Sequence, residues 1–250
     1  MSGRFAGRRK GDTVAIEGGY QDNATYRAVA PQRFWHQTRF AHSMELLAPE
    51  RGDRVLDVGC GSGVFANLVA ERGGIEVTGV DANEAAIEFC EKRYSNPGLR
   101  FTRSALDEID FGARRFDRIS FLEVVEHIYG HQAEKALGVF HGLLEPGGRL
   151  VVSTPNARSP WPLVEKAMDV LRLAPRMESE QHVEGYAPSS LKRLCEGRGF
   201  RQLESRTVLL LSPWVAGVSW RLAGAIERME RRVPVPVGCL LIASFERVED

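Results

Sequence analysis

From Val55 onward, short apolar runs alternate with longer segments whose apolar residues recur at helical spacing. The runs "RVLDVG", "EVTGVD", "LRFTRSA", "FDRISFLEV" and "RLVVSTPN" are typical of strands, and helical patterns such as "VFANLVAERG" and "EAAIEFCEKRY" lie between them. Helix-sized connections between successive strands are characteristic of parallel pairing. The pattern therefore predicts an α/β fold with a mostly parallel sheet and helices on both faces.

The pattern loosens after the fifth strand. A stretch at about 156–187 contains the amphipathic segment "PLVEKAMDVLRLA", and a second stretch at about 212–236 separates two closing strand patterns, "RQLESRTVLLL" and "CLLIASFERV". Both stretches are predicted as small helical lid insertions. The basic, glycine-rich residues 1–19 are predicted as a disordered tail, and 20–250 as one domain whose cofactor core spans about 50–155.

Composition narrows the possible partners. The 250 residues are 43% hydrophobic, and 33 Lys plus Arg balance 33 Asp plus Glu, so no basic excess favours nucleic acid. No secretory signal and no apolar run of about 18 residues is apparent, so a cytoplasmic protein is expected. The four cysteines are widely spaced, without the pairing typical of zinc sites or disulfide frameworks: Cys60, Cys90, Cys195 and Cys239.

A glycine-rich loop, "VLDVGCGSG", follows the first strand and opens the first helix of the sheet. Gly59 and Gly61 permit a tight turn and close ligand approach, but Val64 stands where a dinucleotide fingerprint has its third glycine. Asp57 would repel a pyrophosphate and suits an ammonium group. Asp81 ends the second strand, where a carboxylate can accept hydrogen bonds from ribose hydroxyls. An ammonium group and a ribose with little phosphate together describe S-adenosylmethionine.

With these motifs, residues 50–155 resemble a class I S-adenosylmethionine-dependent methyltransferase. The resemblance implies a Rossmann-like sheet of seven strands with the last antiparallel. It places the two glycines against the methionine part of the cofactor and Asp81 at the ribose. Further cofactor contacts implied by the resemblance are Ala82 beside the ribose, Ala105 and Leu106 near the adenine, and Leu122 at the end of the fourth strand.

Within that class, "FLEVVEHI" is most similar to the O-methyltransferases of ubiquinone biosynthesis, which carry Glu-x-x-Glu-His at this place. Here the residues are Glu123, Glu126 and His127. Arg39 lies 57 − 39 = 18 residues before Asp57, and the ubiquinone enzymes have an arginine at about this offset. The resemblance implies that Arg39 pairs with the cofactor's carboxylate, a bidentate contact suited to guanidinium.

The acidic trio has two open interpretations. A phenol with a pKa near 10 is about 4 kcal/mol from ionisation at pH 7, and a general base or a bound cation can offset part of that cost. If the chain turns helical after Glu123, then Glu126 and His127 share its face at i+3 and i+4 and could bind Mg²⁺ or another divalent cation, with His182 as a further ligand. Alternatively Glu123, His127 and His182 serve as structural groups or general bases without metal.

These observations predict methyl transfer to a hydroxyl of a small acceptor, aromatic or lipid-linked and plausibly hydrophobic. A small-RNA 2′-O-methyltransferase, another N- or C-methyltransferase of small molecules, and a non-catalytic S-adenosylmethionine sensor are the alternatives. The C-terminal insertion combines apolar and aromatic residues with a basic helical end. It is interpreted either as a helix packed on the sheet edge or as a surface for peripheral membrane contact or a greasy substrate.

Overall fold

The computed structural model describes residues 17–160, 183–232 and 236–249. Most of the predicted basic tail, most of the insertion predicted at 156–187, and His182 lie outside these residues.

The described residues form one sheet of seven strands. In spatial order the strands run β3-β2-β1-β4-β5-β7-β6, and β7 is antiparallel to both of its neighbours while the other pairings are parallel. This arrangement confirms the predicted α/β class and the antiparallel last strand. The strands are β1 (Arg54–Val58), β2 (Glu76–Asp81), β3 (Leu99–Arg103), β4 (Phe116–Leu122), β5 (Leu144–Pro155), β6 (Phe200–Val208) and β7 (Leu240–Arg247).

Helices precede the sheet, connect its strands and cover both of its faces. The region predicted as helical before the first strand contains two of them. The helices are α1 (Tyr20–Tyr26), α2 (Ala30–Leu47), α3 (Val64–Ala70), α4 (Glu84–Arg93), α5 (Gly130–Leu143), α6 (Pro188–Glu196), α7 (Ser212–Ala216) and α8 (Trp220–Glu230), with a short 3-10 helix at Val125–His127. None of these helices has the length and apolar character needed to cross a bilayer.

The central strands are apolar because both faces of the sheet are covered. On one face, Phe121 of β4 meets Phe140 of α5 edge to face with ring centroids 5.1 Å apart, and Phe116 is fully buried nearby. On the other face, Phe40 of α2 stacks on Phe65 of α3 at 5.7 Å. The two clusters fix the sheet between helical layers and so fix the edge where the parallel strands end.

Strand order brings the predicted functional residues to one edge. β1 lies between β2 and β4, and Asp57 is directly opposite Ser120 in the register. Leu122, the last residue of β4, is opposite Ser153 of β5. In open parallel sheets, ligands bind beyond the carboxyl ends of the strands, at the position where the strand order reverses. That position here is the gap between the ends of β1 and β4.

The C-terminal insertion forms the α7–α8 hairpin, which packs against α2. Trp220 meets Phe34 of α2 edge to face with ring centroids 5.4 Å apart. His42 of α2 is almost fully buried, and its Nε2 lies 2.7 Å from a carboxylate oxygen of Glu227 on α8. Arg231 bonds the same carboxylate at 2.8 Å. An aromatic contact at one end and a charged cluster at the other therefore hold the hairpin on α2.

Candidate cofactor and acceptor site

The loop after β1 is held in a tight turn that only glycine accommodates without strain. Gly59, Gly61 and Gly63 all have positive φ, at 70°, 52° and 70°. A Cβ on Gly59 would lie 2.3 Å from Cγ2 of Val124, so a larger residue would clash with the segment after β4. The loop therefore brings its backbone within van der Waals contact of the end of β4.

Asp81 at the end of β2 fastens this loop. Its Oδ2 accepts a hydrogen bond from Gly61 N and its Oδ1 accepts one from Asn83 N, both at 2.8 Å. Asn83 caps α4 through its own side chain, and the exposed Ala82 lies between the two. Each oxygen of an ionised carboxylate has further lone pairs. Asp81 can therefore hold the glycine loop and still accept hydrogen bonds from a ligand hydroxyl.

Asp57 is a buried carboxyl at the end of β1. Only 3% of its surface is exposed, and Ser120 Oγ donates a hydrogen bond of 2.7 Å to Oδ1. Burial raises the pKa of Asp57 to about 7, and the charge of Asp81 adds to the rise, whereas the Ser120 hydrogen bond and Arg39 oppose it. A cationic group beside Asp57 would favour its ionised form.

Arg39 of α2 is the cationic group of this site. It is 3% exposed, its guanidinium lies over the Phe40 ring at 4.5 Å, and its Nη1 is 3.9 Å from Oε2 of Glu123. Its Nε and Nη2 are buried without a hydrogen-bond partner among the described residues. Burial lowers the pKa of Arg39, while the charges of Glu123 and Glu126 raise it. An unsatisfied guanidinium edge of this kind fits a ligand carboxylate.

Glu123 marks an abrupt turn at the end of β4. Its φ is 57°, a left-handed value that is uncommon for a residue with a side chain. Glu123 N donates to Ser153 O at 3.0 Å, and Ser153 Oγ donates to Glu123 Oε1 at 2.9 Å. The neighbouring strand β5 therefore fixes both the backbone and the carboxylate of Glu123 at the site.

The acidic trio would share one helical face only if the chain turned helical after Glu123, and it does not continue as a helix there. The only helical turn there is the 3-10 helix Val125–His127. Glu126 is 2% exposed and its Oε2 has no partner among the described residues. Burial, and then the charge of Glu123, raise the pKa of Glu126 well above its usual range, which favours the protonated acid. His127 is half-buried at the end of this turn.

The described residues contain no group of three His, Cys, Asp or Glu side chains placed to hold a metal ion. The predicted ligands Glu123, Glu126 and His127 therefore do not form such a group, and His182 lies outside the described residues.

The residues predicted near the adenine follow β3. Ser104 N donates to Asp81 O at 3.0 Å, so the chain after β3 stays beside the end of β2. Ala105 and Leu106 come next and are partly buried, and Leu106 packs against the hydrophobic core. Leu122 is 5% exposed at the end of β4. The structure thus brings all of these residues to the same edge of the sheet.

Helix α1 covers the glycine loop. Ser62 Oγ accepts hydrogen bonds from the backbone N–H groups of Gln21 at 2.9 Å and Asp22 at 3.3 Å. A Cβ on Gly61 would lie 3.1 Å from the Gln21 amide oxygen. Just before α1, a Cβ on Gly18 would lie 2.2 Å from a carbonyl oxygen of α4. The N-terminal segment is therefore closely docked over the predicted cofactor loop.

Three serines of this site were not identified from the sequence. Ser120 and Ser153 are fully buried hydroxyls inside otherwise apolar strands, and a polar residue in such a strand is a signal that could have found them. Ser62 carries no comparable signal, because its contact to α1 joins residues 40 positions apart in the chain.

Comparison with known proteins agrees with this geometry. A family described as "Methyltransferase domain" matches residues 33–205. A ubiquinone biosynthesis O-methyltransferase of Coxiella burnetii (strain RSA 331 / Henzerling II) is 32% identical over 158 residues, covering 62% of this chain and 66% of the relative. The enzyme of the same name from Aromatoleum aromaticum is 30% identical over 158 residues, which cover 61% of this chain and 66% of the relative. The match thus spans just under two thirds of these relatives' own length.

Solved structures share the fold. A chain from the complex between the Haloferax volcanii Trm112 methyltransferase activator and a putative methyltransferase superposes with a TM-score of 0.65 at 16% identity. The superposition covers 93% of this chain and 95% of that chain. Magnesium protoporphyrin IX methyltransferase from Synechocystis PCC 6803, with bound SAH, superposes with a TM-score of 0.62 at 16% identity. The superposition covers 92% of this chain and 93% of that chain. The chain therefore belongs to the methyltransferase-domain family, as its resemblance to class I S-adenosylmethionine-dependent methyltransferases predicted.

Proposed function

We propose that this chain transfers a methyl group from S-adenosylmethionine to a hydroxyl of a small aromatic or lipid-linked acceptor. The observation that carries the proposal is the unsatisfied guanidinium edge of Arg39, which is buried beside Glu123 at the carboxyl end of β4. A buried donor pair without a partner is costly unless a ligand pairs with it. The oxygen-directed part of the proposal is supported by its relatives, which are named as O-methyltransferases of ubiquinone biosynthesis.

The residues present fit the polar groups of this cofactor. Arg39 would hold its carboxylate through Nε and Nη2, and the buried Asp57 would neutralise its ammonium group. Asp81 would accept hydrogen bonds from the ribose, and the backbone at Gly59 and Gly61 leaves room for close approach. The cofactor itself supplies a methyl group already activated by a sulfonium.

The chain must then position a hydroxyl and remove its proton. Glu123 is the carboxylate best placed to do so, because Ser153 fixes its orientation and 17% of its side chain remains exposed. The hydroxyl proton would pass to Glu123 as the oxygen takes the methyl group. His127 stays a predicted catalytic residue at the same turn.

An acceptor scan tests the proposal. We expect mass spectrometry to detect O-methylated products when the full chain is incubated with S-adenosylmethionine and a panel of catechols, phenols and prenylated phenols. Glu123→Gln should lower turnover while leaving S-adenosylhomocysteine affinity within a few fold. Products found only with amines or carbon acids, or only with RNA, would each support a different methyltransferase. Normal cofactor affinity without turnover on any acceptor would support a sensor.

The divalent cation predicted from the sequence has a separate test. The proton transfer to Glu123 requires no cation, so we expect turnover to persist in EDTA. Inhibition by EDTA that Mg²⁺ reverses, together with a loss of that response in His127→Ala, would restore the cation hypothesis. In that case at least one ligand would come from beyond the described residues, where His182 lies.

A further inference from the structure

The α7–α8 hairpin exposes a surface that the proposed chemistry does not use. Val218 at its turn is 89% exposed, Leu222 is 52% exposed and Trp214 is 47% exposed. We call the following six residues the apolar–basic face: Trp214, Val218, Arg221, Leu222, Arg228 and Arg232. All six are exposed.

Helical spacing places the basic residues of this face on one side of α8 and of the turn that follows it at 231–232. Arg221, Arg228 and Arg232 are seven and four residues apart, which brings them to nearly the same side of a helix. The opposite side of α8 carries Ala223 and Glu227, which are buried against the rest of the protein. The face is thus the solvent side of a helix that is anchored on its other side.

The charge of the face is positive and uncompensated. Residues 209–232 contain only two acidic residues, Glu227 and Glu230. Glu227 is bound by His42 and Arg231, and Glu230 accepts hydrogen bonds from the start of α7, at 2.6 Å from Leu211 N for example. Within the described ranges, by contrast, no ion pair involves any of the three arginines of the face. The protein as a whole carries no net charge, so this concentration is local.

Topology places the face at the catalytic edge of the sheet. The hairpin connects the end of β6 to the start of β7, where Val208 pairs with Leu240, and Leu240 also pairs with Pro155 at the end of β5. Trp220 contacts Phe34 of α2, and Arg39 lies five residues further along that helix, or about 7.5 Å. The hairpin that carries the face therefore lies at the carboxyl edge of the parallel strands and packs on the helix that also carries Arg39.

We propose that the apolar–basic face docks on the surface of an anionic lipid bilayer. Tryptophan and aliphatic side chains on a helix surface enter the interface between headgroups and acyl chains, while arginines pair with anionic headgroups. The positive charge of the face complements anionic headgroups, which favours a bilayer over a protein partner that offers only an apolar groove. Docking would bring the active site to the membrane surface, where a lipid-linked acceptor resides.

Vesicle co-sedimentation tests the docking. The full chain is expected to bind vesicles of phosphatidylcholine mixed with phosphatidylglycerol, and to bind much less to phosphatidylcholine alone. The variant R221Q/R228Q/R232Q should bind the mixed vesicles more weakly by on the order of 100-fold, since each arginine near an anionic surface contributes about fivefold. The matched control R72Q/R100Q/R193Q changes three exposed arginines elsewhere that form no ion pair within the described residues, and it should bind as the unmodified chain does.

The apolar part of the face has its own pair of variants. W214S/V218S should weaken binding by on the order of tenfold, because both side chains would lose burial in the interface. L203S/V248S, which removes two apolar residues exposed elsewhere, should not weaken it. Circular dichroism and thermal unfolding of each variant establish that loss of binding is not loss of folding.

Three results would overturn the proposal. The first is equal binding of the mixed vesicles by R221Q/R228Q/R232Q and by its control R72Q/R100Q/R193Q. The second is abolition of all binding by R8Q/R9Q/K10Q, which neutralises three of the four basic residues in the first ten positions and leaves the face intact. A concentration-dependent dimer that Val218→Glu dissociates would assign the face to a second copy instead. None of these measurements uses a methyl acceptor. A failure of the docking proposal can therefore be distinguished from a failure of the proposed reaction.

Discussion

The pKa of Asp57 predicts that cofactor binding releases a proton. A carboxyl with a pKa of about 7 is about half protonated at pH 7 and about nine-tenths protonated at pH 6. An ammonium group placed beside it favours the carboxylate. Binding of S-adenosylhomocysteine should therefore release about half a proton at pH 7, about 0.9 at pH 6 and about 0.1 at pH 8, and its affinity should fall up to about tenfold per pH unit below 7.

Isothermal titration calorimetry measures this release directly. Titrations at one pH in phosphate and in Tris should give heats that differ by the number of protons released times the difference in buffer ionisation enthalpy. Asp57→Asn removes the titrating group and should abolish the difference. Ser120→Ala removes the hydrogen bond that holds the pKa of Asp57 down, so it should move the release to higher pH.

The reasoning would be refuted by an S-adenosylhomocysteine affinity that is the same at pH 6 and pH 8, with heats independent of the buffer. It would also be refuted if Asp57→Asn kept the full buffer dependence, because another group would then be the one that releases the proton.

Four further predictions follow from the same contacts. A folded pKa about 3 units above the ordinary value means that Asp57 costs stability progressively as pH rises from about 4 to 7, so Asp57→Asn should raise the free energy of unfolding of the ligand-free protein at pH 8 by up to about 4 kcal/mol and by almost nothing at pH 4, as urea titrations would show. Arg39→Lys keeps the charge but loses the two-nitrogen edge, so calorimetry should find S-adenosylhomocysteine affinity lower by about 1.5–3 kcal/mol. Gly59→Ala should abolish cofactor binding through its clash after β4, whereas Gly73→Ala, at a similar φ with open space around it, should cost about 1 kcal/mol of stability and leave binding unchanged. Glu227→Gln weakens the charged cluster between α8 and α2 and should lower the urea midpoint by an amount equivalent to about 1–3 kcal/mol.

Much of this fold was predictable because its signals are local. The alternation of apolar runs and helical patterns predicted the parallel strands, and Asp57 and Asp81 ended strands that prove to be neighbours. The seven-stranded sheet with its antiparallel last strand was implied by the resemblance rather than by spacing, and it is confirmed. The role of Arg39 at the cofactor was likewise implied by the resemblance and stays a prediction, and the structure places its Nη1 3.9 Å from Oε2 of Glu123.

The sequence left alternatives open where distant contacts override the local pattern. The spacing of "LEVVEH" suits a helix, but hydrogen bonds to Ser153, on a strand 30 residues later, hold Glu123 in a left-handed conformation. The metal interpretation depended on that helix. Desolvation of Glu126 was equally hidden, because the burial of a residue after a strand depends on the segments that return over it, here through Val183 N on its carbonyl oxygen.

The docking of α1 on the glycine loop has a kinetic consequence. This helix has seven residues, and two backbone hydrogen bonds to the single hydroxyl of Ser62 attach its start to the loop. Detaching so short an element costs far less than unfolding the sheet. A local opening of α1 is therefore expected to expose the glycine loop while the sheet stays folded.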